Sequence, residues 1–156
     1  MKRAVATTAG LLGLVSLVVV VSTGCQWDSS ASLSEHDISA PDSWALASQG
    51  EMTIIDIRTP REWRQTGVVA GVREIDMQHP GGLEGFVREL LAEVDGDKDA
   101  PIGLICRTGN RSGQVQQVLT AVGFTNVYNI AEGMAGSRAG PGWLRRGLPV
   151  ESCTRC

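Results

Sequence analysis

Short apolar, β-branched runs alternate with helical apolar periodicities along most of this chain, and that alternation limits its fold more than any other feature. "MTIIDI" (52–57) has the composition of a buried strand. "TPRE" follows at once: Thr59 can cap a helix, Pro60 suits its first position, and Glu62 stands where a capping-box acid reaches back to the cap. That helix is expected to end near Gly67. Leu83, Phe86, Val87, Leu90, Leu91 and Val94 recur at three- and four-residue intervals, lining one helical face that stops at Gly96. "IGLI" (102–105) reads as a second buried strand, Val115, Val118, Leu119 and Val122 as a helix closed by Gly123, and "NVYNI" as a third strand. Strands alternating with amphipathic helices predict an α/β domain, a mostly parallel central sheet with helices on both faces. Ligands of such domains bind where strand C-terminal ends meet helix N-termini. Cys106 occupies one such end and Asp56 another.

A chain of 156 residues with 42% hydrophobic content is enough for one domain with a real core and short for two. A net charge of -3 argues against a nucleic-acid partner, which would need a basic face. Residues 1–24 carry Lys2 and Arg3, an apolar stretch from Leu11 to Val21, and the small residues Ser22, Thr23 and Gly24, the pattern of an export signal or an N-terminal membrane anchor. Cys25 directly after those small residues resembles the lipobox of bacterial lipoproteins, which implies lipidation at Cys25. Cleavage without lipid and an uncleaved anchor are the alternatives. All three place the domain outside the cytoplasm, the first and last at a membrane. Residues 25–37 are rich in Ser and acids and read as a flexible tether, 38–150 as the domain, and 151–156 as a tail holding two cysteines.

The stretch "LICRTGNRSG" sets Cys106 after an apolar run and then crowds Arg107, Thr108, Gly109, Asn110, Arg111, Ser112 and Gly113 behind it. A helix beginning near Arg111 forces this loop to curl with amide N–H groups pointing inward, a nest that attracts anions. The helix N-terminus adds partial positive charge, and Arg107 and Arg111 add full ones, so all three favour thiolate over thiol. A cysteine kept only for packing needs neither the arginines nor the glycines.

Here the sequence resembles the rhodanese family of sulfurtransferases, from about Ile38 to Val150. "DIRTPREW...TGVVAG" resembles the family's first signature, "CRTGNRSG" its active-site loop, and "GFTNVYNIAEGMAG" with "GLPV" its closing segment. Two departures stand out. Val68 replaces the His that follows the Gly of the first signature, and "SRAGPG" (137–142) lengthens the segment before Trp143. The resemblance implies a rhodanese-like three-layer fold and a persulfide cycle without a cofactor or metal. Cys106 would take sulfur from a small donor such as thiosulfate and pass it to a thiol or cyanide acceptor. Arg107, Thr108, Gly109, Asn110, Arg111 and Ser112 would bind the substrate through backbone and side-chain donors. On this reading the sulfur is ionised and open to incoming donors. Asp56, Arg58 and Glu62 would support the loops by hydrogen bonds, Glu62 as a helix cap or a partner for Arg58.

Two other readings share the architecture: a noncatalytic sulfur- or anion-binding module, and a phosphatase or arsenate reductase. Four residues separate Cys106 from Arg111, and the phosphatase loop is one residue longer, which favours sulfur chemistry. His36 in the tether and His79 before Pro80 have no spacing that joins them to Cys106. Cys153 and Cys156 could form a disulfide or serve as a sulfur relay. A zinc site on this pair lacks two ligands.

Overall fold

A computed structural model describes residues 34–154 and 156. The expected signal or anchor (1–24), the lipidation site Cys25 and most of the tether lie outside the described residues. The strands and helices in chain order are β1 (Asp37–Ile38), α1 (Ala40–Ser48), β2 (Thr53–Asp56), α2 (Pro60–Thr66), β3 (Val68–Val69), β4 (Arg73–Glu74), α3 (Gly82–Glu93), β5 (Ile102–Ile105), α4 (Asn110–Ala121), β6 (Val127–Ile130) and β7 (Val150–Glu151). Five strands form a parallel sheet in the order β1-β6-β5-β2-β4, and β3 pairs antiparallel with β7 in a separate ribbon.

Strand side chains alternate between faces, so each strand feeds two cores. Ile55, Ile57, Ile102 and Leu104 pack with Phe86 and Leu90 of α3 and Leu119 of α4. Ile54, Ile105 and Ile130 face the other way, against Ala40 of α1 and against Met134 and Trp143. Trp44 meets Trp143 edge-on at 5.9 Å between centroids, which fixes α1 over this second face. Helical layers on both sides of a parallel sheet are the α/β architecture that the sequence pattern predicts.

α2 carries a complete capping box, with the Thr59 side chain accepting from the Glu62 N–H and the Glu62 side chain accepting from the Thr59 N–H. Gly67 ends that helix. Several expectations are corrected. The parallel sheet starts at Asp37, inside the stretch read as tether, and the His36 carbonyl already accepts from the Asn129 N–H. Leu83 is 50% exposed because it sits in the first turn of α3, while Val118 and Val122 are each 39% exposed because they flank the inward line of α4. The Leu119 side chain points into the core and takes that inward line. α4 begins at Asn110, one residue before the expected start.

Candidate active site

β5 ends at Ile105, and Cys106 enters a tight turn that closes into α4 with Gly109 as the N-cap residue. Gly109 has φ +82°, and a Cβ there would collide with the Ala131 carbonyl. Only glycine meets both conditions without strain. Gly133, at φ +63°, approaches the Arg107 carbonyl in the same way. The Met134 N–H donates to the Cys106 carbonyl (2.9 Å) and the Ala135 N–H to the Arg107 carbonyl (2.8 Å). The loop is therefore clamped onto the segment that follows β6.

The first amides of a helix have no partner within it. One of them, the Ser112 N–H, lies 3.5 Å from Cys106 Sγ, and Ser112 Oγ lies 3.3 Å from the same atom. The sulfur thus sits at the positive end of α4. One expectation fails here. Cys106 is fully buried, with 0% exposure, rather than open to donors, because the clamped loop folds over it. Ser112 is also fully buried, with its N–H and its hydroxyl both facing the sulfur. Helix phase explains this: Ser112 points inward, toward Asn129 Oδ1 at 2.7 Å.

Arg111 and Glu62 form a bidentate pair, with Nη1 to Oε2 at 2.9 Å and Nη2 to Oε1 at 2.5 Å. The hydrogen bond from Arg111 pulls the Glu62 carboxyl down to about 2, against the upward push of burial, and Thr59 adds to the pull. Arg111 is raised in turn, first by Glu62, with smaller contributions from the Cys106 sulfur that offset part of its desolvation. Glu62 is thus the cap of α2 and the partner of Arg111, while Arg58 reaches only its backbone carbonyl, at 3.5 Å. Arg111 is committed to Glu62 beside the sulfur, whereas Arg107 is exposed and borders a cavity of about 170 Å³ together with Glu62, Thr66 and Met134. Thr108, Gly109 and Asn110 line a larger groove, of about 660 Å³, on the other flank of the loop, with Arg138 from the inserted segment.

Asp56 and Arg58 are buried together. Arg58 Nε and Nη2 donate to the Asp56 carboxylate, Nη1 to Thr66 Oγ1 (2.6 Å) and Nη2 to the Gly67 carbonyl (2.8 Å). This pair ties the end of β2 to the end of α2. Cys153 and Cys156 are joined as a disulfide next to the β3–β7 ribbon, so in this state neither sulfur is free to accept another. Both ring nitrogens of His79 are engaged, one with Glu89 and one with the Gly81 N–H.

Three participants escape the sequence reading. Asn129 and Asp37 extend the polar contacts of Ser112, with Asn129 Nδ2 donating to Asp37 Oδ1 at 2.8 Å. The only signal for Asn129 is a polar residue within an apolar strand. Glu132, buried beneath the inserted segment, accepts from Arg146, the Gly142 N–H and the Ala40 N–H. Burial raises its carboxyl, and those hydrogen bonds outweigh the effect and leave it lowered overall.

A parallel α/β sheet with a single cysteine in a clamped strand-to-helix turn defines a class of domains that can hold an anionic sulfur. Residues 39–139 match the family described as "Rhodanese-like domain". An uncharacterised protein of Rickettsia conorii is 29% identical over 106 residues, covering 67% of this chain and 86% of its own. A protein named sulfurtransferase from Allochromatium vinosum is 30% identical over 105 residues, covering 67% and 83%. The crystal structure of Rv0390 from M. tuberculosis superposes with a TM-score of 0.55 at 28% identity, covering 75% of this chain and 97% of that one. The chain belongs to the rhodanese-like domain family, and its fold is the rhodanese fold.

Proposed function

We propose that this protein is a sulfurtransferase that carries sulfane sulfur on Cys106. The observation that carries the reading is the placement of Cys106 Sγ against the Ser112 N–H and the positive end of α4. Those groups stabilise negative charge on the thiolate and then on the persulfide, so neither stage needs a metal. With thiosulfate, the Cys106 thiolate attacks the outer sulfur; a new S–S bond forms, the old one breaks, and sulfite leaves with its electron pair. An acceptor thiolate or cyanide then attacks the outer sulfur of the persulfide and restores the Cys106 thiolate. Exposed Arg107 is suited to drawing the anionic donor toward the loop. Relatives named as sulfurtransferases support the reading.

Full burial of Cys106 favours a second reading, a module that binds sulfur or anions without turnover. On the first reading the loop cover yields to a donor; on the second it does not. Thiocyanate formation from thiosulfate and cyanide separates them. The expected result is turnover that disappears in Cys106→Ser; no turnover in the unaltered protein supports the binding module.

A further inference from the structure

We propose that Asn129 and Asp37 are positioning residues for Cys106: they draw the single proton of the Ser112 hydroxyl away from the sulfur and so withhold one hydrogen-bond donor from its thiolate. A serine hydroxyl donates once. Ser112 Oγ has three acceptors in reach, Asn129 Oδ1 at 2.7 Å, the Gly109 carbonyl at 3.1 Å and Cys106 Sγ at 3.3 Å. The choice is made at the far end. A carboxylate only accepts, so Asp37 Oδ1, at 2.8 Å, fixes Nδ2 as the atom of Asn129 that faces it. Asn129 Oδ1 must then face Ser112, and two oxygen lone pairs at 2.7 Å repel unless the hydroxyl proton lies between them. The Ser112 O–H is consequently turned to Asn129 Oδ1 and away from Cys106 Sγ, and Asn129 Nδ2 donates to Asp37.

An ionised Cys106 calls for that hydroxyl proton as a second donor beside the Ser112 N–H. Ser112 must then either keep its proton on Asn129, leaving the sulfur its N–H alone, or turn its hydroxyl to the sulfur. The second choice strips Asn129 Oδ1 of the donor it holds at 2.7 Å, at a side chain that borders the groove beside Thr108 and Gly109. Both outcomes oppose the thiolate. The other charged groups on the elements packed against the loop are Arg111 on α4, Arg107 in the loop, Glu62 on α2 paired with Arg111, the closed Asp56–Arg58 pair at the end of β2, and Glu132, paired with Arg146, after β6. Asp37 on β1 is the acid that reaches the sulfur through hydrogen bonds to Ser112.

The inference concerns the same sulfur as the sulfurtransferase reading but not its turnover, and its test needs no donor. Thiolate absorbance near 240 nm is followed against pH in the full chain, with Cys106→Ser as the blank. Asn129→Ala and Asp37→Ala are each made with Ser112 present and in a Ser112→Ala background. With Ser112 present, both variants are expected to move the Cys106 step to lower pH by about one unit, a tenfold change in the thiol–thiolate balance. In the Ser112→Ala background neither is expected to move it. No shift, an upward shift, or an equal shift without the Ser112 hydroxyl overturns the proposal, the last because it reports only lost charge or packing. Asp37 is partly exposed, so if Asn129→Ala fails to fold, Asp37→Ala in the two backgrounds decides alone.

Discussion

Glu62 caps α2 and holds Arg111 against the cysteine loop, so one carboxylate serves two elements. Its carboxyl is lowered to about 2 in the folded protein from an ordinary value of 4.5. A depressed carboxyl contributes stability that is present above its unfolded value and is lost as pH falls through its folded value. Glu62→Gln should therefore lower the urea midpoint at neutral pH, and the gap from the unaltered protein should close between about pH 4.5 and pH 2. Urea titrations at a series of pH values check this, and a gap as wide at pH 2 as at neutral pH contradicts it. At neutral pH the same substitution also breaks the bidentate pair that holds Arg111.

Glu132 does for α1 and the C-terminal turn what Glu62 does for α2 and α4. Its carboxylate gathers the Ala40 N–H at the start of α1, the Gly142 N–H and the Arg146 guanidinium. Glu132→Ala leaves those donors without their acceptor and is expected to cost about 2 kcal/mol in stability. Hydrogen exchange should show α1 amides opening sooner while α3 keeps its protection; equal loosening of both helices contradicts the local role. None of this was legible in the sequence, because the partners of Glu132 are brought together only by the fold. β2, β5, β6 and the helices α2 to α4 were legible, since each has enough residues to display a period or a cap. β1, β3, β4 and β7 have two residues each, too few for any period, and α1 buries only Ala40 and Ser43. The cysteine loop was readable because it is contiguous. The inward turn of Ser112 and its link to Asn129 and Asp37 depend on helix phase and strand pairing, which a linear motif does not encode.

Across the whole molecule two separate questions arise: where the domain is held, and how a covered thiol meets its donor. Export and lipidation at Cys25 are proposed from the N-terminal pattern, and the Cys153–Cys156 disulfide suits the oxidising compartment that export implies. Among the described residues no helix is long and apolar enough to cross a membrane. If lipid on Cys25 is the attachment, the mature N-terminal peptide should begin at Cys25 and carry the added mass of a lipid; a membrane-bound protein that keeps residues 1–24 points to an uncleaved anchor instead. The second question reaches the central claim, that a sulfur held at the start of α4 and buried at rest becomes a sulfur carrier. Mass spectrometry of the Cys106 peptide after thiosulfate treatment tests it most directly. The account predicts a gain of one sulfur atom on Cys106, removed by cyanide and absent in Cys106→Ser; a peptide of unchanged mass after donor treatment contradicts it.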